Sequence, residues 1–134
     1  MIKLLDKKHI YIIHQHTINK FGGDMGHYNN TDQKIESILA QQHGYFGYDK
    51  YPTIYEKAAM LIYFFANSHC FVDGNKRVAI TAGGVFLKMN GLEDHLDDME
   101  GYNKTMEIAS RELHGVEVDK YIKGLSIWLS TKFY

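Results

Sequence analysis

A chain of 134 residues suits one domain, 1–134, able to bury its own core, and 15 Lys and Arg against 16 Asp and Glu leave a formal charge of −1. No summed field therefore draws the protein to nucleic acid or an anionic membrane, and any anion site must be local. The single cysteine, Cys70, excludes an internal disulfide, no N-terminal apolar run precedes a cleavage site, and "AAMLIYFFA" is far short of the about 20 residues of a membrane span, so a soluble cytoplasmic protein is expected.

The first helix is expected from near Asp6, with Ile10, Ile13 and Ile18 at helical spacing, to Phe21, where Gly22-Gly23 stops it. After the polar loop "GGDMGHYNN", a second helix opens at Thr31 or Asp32, carries Ile35, Ile38 and Leu39, and closes at Gly44. The Tyr- and Gly-rich stretch "YFGYDKYP" reads equally as a loop or a short hairpin. Thr53 and Glu56 stand in N-cap and N3 relation, a capping box opening a third helix with Ile54, Ala58, Leu61, Ile62 and Phe65 as its buried stripe and an end near Ser68. A fourth runs from about Asn75 to Asn90, with Val78, Ala79, Ala82, Val85, Phe86 and Met89 inward and Gly91 as stop; Ala82, Gly83 and Gly84 let a neighbour approach closely. The fifth spans about Asp98 to Leu113, and the last starts at Asp119 and includes Tyr121, Ile122, Leu125, Trp128 and Leu129. No segment alternates with period two, so the fold class is all-α.

On this map "HCFVDGNKR", residues 69–77, is a loop that leads into the fourth helix. The first amides of a helix have no internal partner and the helix dipole is positive there, so Gly74, Asn75, Lys76 and Arg77 surround a natural phosphate site with two added cationic side chains. Asp73 either caps the helix or holds a hard cation such as Mg²⁺, which binds through one or two carboxylates plus substrate phosphates. His69 carries an imidazole, which titrates near neutral pH and is suited to taking a proton from an attacking hydroxyl. Phe71 is expected to pin the loop to the core. Each residue alone also has an ordinary structural reading, as cap, turn residue or solvated charge. Together they describe transfer of a phosphorus-containing group to an alcohol, with no protein nucleophile.

The stretch resembles the signature of the Fic/Doc superfamily, H-x-F-x-[DE]-G-N-[GK]-R, and most closely the death-on-curing (Doc) toxin branch, where a lysine stands at the position of Lys76. "INKFGGDMG" upstream and "VFLKMNG" downstream are similar to Doc segments too, so the likeness covers nearly the whole chain. The resemblance implies a Fic-fold bundle of about six helices around a central helix-loop-helix. It also implies His69 as general base, Asp73 as Mg²⁺ ligand, and Gly74, Asn75, Lys76 and Arg77 as the cradle for ATP. Adenylylating members carry glycine at the position of Lys76 and a second arginine three residues after the first, where this chain has Ile80. Both departures favour the Doc-like reaction: transfer of the γ-phosphate of ATP to a protein hydroxyl, the implied target being a threonine of elongation factor Tu, with translation stopped. AMP transfer and a catalytically silent binding module are the alternatives. No Ser or Thr has glutamate four residues later, so the self-inhibitory [ST]-x-x-x-E-[GN] device is absent and a cognate antitoxin in trans is expected.

Other residues invite weaker readings. Cys70 is expected to be a small buried apolar side chain rather than a nucleophile. His14 and His16, two apart on a helix, do not share a face for metal binding. His27 reads as a solvated histidine in a loop that the resemblance places near the substrate region.

Overall fold

In the computed structural model, which describes all 134 residues, the chain forms six helices: α1 (Lys7–Phe21), α2 (Thr31–Ala40), α3 (Ile54–Asn67), α4 (Asn75–Met89), α5 (Asp98–Ala109) and α6 (Val116–Ser130). There are no strands; three isolated β-bridges, at His27 and Phe71, Tyr45 and Tyr48, and Asp94 and Phe133, fasten loops. The all-α class and the helix count agree with the expectation.

The axis is α3. Its continuous run Lys57–Tyr63 is buried together with Phe65 and Ala66, so it has no solvent face, whereas a single stripe was expected. The reason is its neighbours: α3 packs against α2, α4, α5 and α6. Against α4 the approach is very close, because a Cβ placed on Gly83 would lie 2.4 Å from the Ile62 side chain. Gly83 is thus the groove into which Ile62 fits, as the small-residue run predicts. No helix is long and apolar enough to cross a membrane.

The helix ends differ from expectation where side chains override local pattern. α2 stops at Ala40, not Gly44, because buried Gln42 uses its amide on the chain ahead of α1. Its Oε1 accepts from Leu5 N–H (2.9 Å), and its Nε2 donates to Leu5 O (3.0 Å) and Leu39 O (3.1 Å). α5 ends at Ala109, four residues early, with the Ser110 hydroxyl donating to Glu107 O (2.8 Å). α6 starts early, at Val116, because Gly115 turns the chain with φ +56°. At α3 only half of the expected capping box forms: Thr53 Oγ1 accepts from Glu56 N–H (3.1 Å) and donates to the Glu56 carboxylate (3.0 Å). A complete box occurs instead at α1, where Asp6 and His9 cap each other's amides.

"YFGYDKYP" resolves as a two-residue turn. Tyr45 and Tyr48 exchange both backbone hydrogen bonds (2.7 and 2.8 Å), with Phe46 at φ +50° and Gly47 at +78°. Positive φ at both central positions is the type I′ geometry of a tight hairpin.

Candidate active site

The loop between α3 and α4 is held from two sides. After Ser68 closes α3, His69 takes a left-handed conformation, φ +48°, that turns the chain back and leaves the residue exposed. From α2, the Thr31 hydroxyl donates to Cys70 O and the Lys34 ammonium donates to His69 O (3.3 Å). Inside the loop, the Asn75 carboxamide accepts from Phe71 N–H (3.0 Å) and donates to Phe71 O (2.8 Å). These two bonds fix the orientation of its amide, and its backbone N–H is left without a partner at the helix start.

The cap of α4 is Gly74, at φ +83°, where other residues are strained, and it makes no side-chain capping bond. The first bond into the helix is Val78 N–H to Gly74 O (2.9 Å). The preceding N–H groups of Asn75, Lys76 and Arg77 are left unpaired at the positive end of a 15-residue helix. Lys76 and Arg77 are exposed beside them, and the Arg77 guanidinium lies 3.5 Å over the Phe21 ring at the end of α1. The stack restrains a planar, multi-donor cation.

Asp73 does not cap α4. Its Oδ2 accepts from Asp24 N–H (2.8 Å), so the carboxylate ties the "GGDMGH" loop to the motif, assisted by Val72 N–H to Gly26 O (3.2 Å). The other carboxylate oxygen makes no hydrogen bond. No group of three or more His, Cys, Asp or Glu could form a metal cage by itself. A single carboxylate with a free oxygen, next to an open anion nest, does fit Mg²⁺ arriving with a phosphate ligand.

His14 is the residue that pattern reading passed over. Although it lies on α1, it is 1% exposed, its Nε2 donates to Asp73 O (3.0 Å), and its ring stacks flat on Phe71 with centroids 3.7 Å apart and planes 4° from parallel. Burial holds the His14 pKa below the ordinary imidazole value, against the opposing pull of its bond to the Asp73 carbonyl. Exposed His27 borders the same cluster, 5.4 Å from the Phe71 ring and 5.2 Å from Tyr11. Phe71 is buried and does pin the loop. Cys70 is fully buried with its thiol pushed up to about 11, which leaves little thiolate to act as a nucleophile. Thr31, Lys34 and Phe21 carried no sequence signal for their contacts with the motif.

A sequence profile described as the Fic/DOC family matches residues 4–87, more than half of the chain. "Toxin Doc" of Mycolicibacterium smegmatis (strain ATCC 700084 / mc(2)155) is 37% identical over 78 residues, 57% of this chain and 60% of that protein, so the match spans less than two thirds of that relative's length. "Protein kinase doc" of Escherichia phage P1 is 25% identical over 109 residues, covering 81% of this chain and 84% of the relative. The chain belongs to the Fic/DOC family.

Proposed function

We propose that this chain is a Doc-like toxin that transfers the γ-phosphate of ATP to a hydroxyl of a target protein, a threonine of elongation factor Tu, and so halts translation in the cytoplasm. The observation that carries this reading is the uncapped start of α4, with unpaired N–H groups at Asn75, Lys76 and Arg77, the half-free carboxylate of Asp73 just ahead of the cap, and exposed His69 in the same loop. The names of the two relatives, a toxin and a protein kinase, support it.

Each group then has a task. The amides that open α4, with Gly74 permitting the turn, receive phosphate oxygens; Lys76 adds a point charge and Arg77, restrained by Phe21, a planar clamp. Asp73 would hold Mg²⁺, which when bound neutralises charge on the phosphates. His69 takes the proton of the incoming hydroxyl; its exposure gives a protein substrate access. Ile80 is half-buried near Gly101 of α5, an apolar wall where the adenylylating pattern places a second guanidinium. This favours phosphoryl over AMP transfer. Control falls to a cognate antitoxin, since the chain has no self-inhibitory motif.

Incubation with Mg²⁺, elongation factor Tu and ATP labelled separately at the α and γ positions tests the reading. Label from the γ position on a threonine is expected. Label from the α position alone makes the protein an adenylyltransferase. No label, together with growth arrest that survives His69→Ala, makes it a binding module.

A further inference from the structure

We infer that His14 is a positioning residue that locks the Asp73–Gly74 peptide plane, so that the Gly74 N–H faces away from α1 and joins the amides at the start of α4. The inference rests on the anion-binding reading of that helix start. It begins with a covalent constraint: in a trans peptide the C=O and N–H point in opposite directions. All peptide bonds here are trans, and Asp73 O is held toward α1 by His14 Nε2 at 3.0 Å. The N–H of the next residue, Gly74, must then point away from α1.

Such a lock is needed at this position because the following residue is glycine. A peptide plane turns over by exchanging the ψ of one residue for the φ of the next, and glycine accepts either sign of φ at little cost. Gly74 sits at φ +83°. Turned over, the plane would aim the Asp73 carbonyl dipole, rather than a donor, toward the positively charged end of α4, and a bound phosphate would meet an oxygen. Packing alone opposes this weakly. A Cβ on Gly74 would meet Ile18, Thr17 and His14 at 3.2, 3.5 and 3.7 Å, so the glycine lies close against side chains of α1, with no hydrogen bond of its own to that helix.

Histidine is suited to the task because it combines two features. Its ring fills a flat slot against Phe71, and its edge presents an N–H to a buried carbonyl. Phenylalanine keeps the first and loses the second; glutamine keeps an N–H donor without the ring.

The test uses the full chain with His14→Phe, and with His14→Met should the Phe variant not fold, beside His14→Gln. Residual dipolar couplings of the Gly74 N–H, measured without ligand, report the plane directly. Affinity for ATP with Mg²⁺ is measured by calorimetry on the same samples. The expected result is a changed Gly74 coupling and about tenfold weaker binding in the folded donor-less variant, with both returned to within about threefold of the wild type in His14→Gln. A wild-type coupling and wild-type affinity in the donor-less variant overturn the inference. So does a folded His14→Gln that binds as weakly as the donor-less variant, since loss would then follow the ring and a merely structural role. If the wild type itself binds no ATP, the proposed function fails while the ligand-free couplings still decide the positioning role.

Discussion

The two ends of α3 carry loops of opposite character. Before α3, residues 41–53 spend many of their polar groups on one another and on neighbouring elements, Gln42 on Leu5 and Lys50 on Asp119 among them. Tyr45 and Tyr48 pair their backbones, and the Lys57 ammonium, on a side chain only 4% exposed, goes to Asp49 (2.7 Å) and Gln42 O (2.8 Å). After α3, residues 69–77 brace themselves from outside, through His14, Thr31, Lys34 and Asp24, and leave amides and two cationic side chains without hydrogen-bond partners. A loop whose polar groups are already consumed by the fold is a joint. A loop held rigid by its neighbours, with its own donors unspent, is ready to bind.

The comparison can be broken by removing one group from each end, and the largest effect is expected at the binding end. His69→Ala should lower phosphoryl transfer by about 10²–10⁴-fold, the usual worth of a positioned base, while the melting temperature stays near that of the wild type because the residue is exposed. Comparable activity in the variant would remove the catalytic difference between the loops.

At the other end, Asp49→Asn should cost about 2 kcal/mol of stability in chemical denaturation, less than the about 3–5 kcal/mol of breaking a fully buried pair because Asp49 itself is about one-third exposed, with activity per folded molecule unchanged. A pH series sharpens this. The Lys57 hydrogen bond holds the Asp49 carboxyl below its ordinary value, so its stabilisation is present above about pH 4 and is lost as pH falls through the lowered folded value. Asp49→Asn should remove that acid-side loss while leaving the behaviour above pH 5 parallel to the wild type.

Phe21→Ala frees Arg77 from its stack and should raise the KM for ATP about twofold to fivefold with a smaller change in kcat, as expected for a cation–π contact at an exposed site. An unchanged KM would mean that Arg77 needs no support. The smallest effect is a gain: Phe46→Asn puts the favoured residue of a type I′ turn where a fully exposed phenylalanine now sits at φ +50°, and should stabilise the protein by about 0.5–1 kcal/mol. Destabilisation by that change would show that the Phe46 ring has a folded-state contact.

Much of this was legible because it is local. The cap and cradle of α4 lie within nine consecutive residues, and helical spacing exposes Ile10, Ile13 and Ile18, or Val78, Ala79 and Ala82, as core. What was missed is what acts across the chain. The expected stripe on α3 underestimated its burial because four other helices cover it, and no local pattern counts neighbours. The ends of α2, α5 and α6 shifted because Gln42, Ser110 and Gly115 satisfy or redirect the backbone in ways that apolar periodicity does not register. The cap reading of Asp73 fails because its tie to Asp24 joins residues 49 apart, beyond the reach of any local pattern.

The amino-acid sequence by itself determined the all-helical fold, the order of its elements and the residue types gathered in the motif, because these depend on spacing of a few residues and on backbone donors that every helix start leaves open. Only the tertiary structure decided which of those groups are free. His14 reaches Asp73 across 59 positions, Phe21 supports Arg77, and Asn75 turns its amide inward. A hydrogen-bonding group can serve a ligand only if no neighbour has already claimed it, and neighbours are settled by packing.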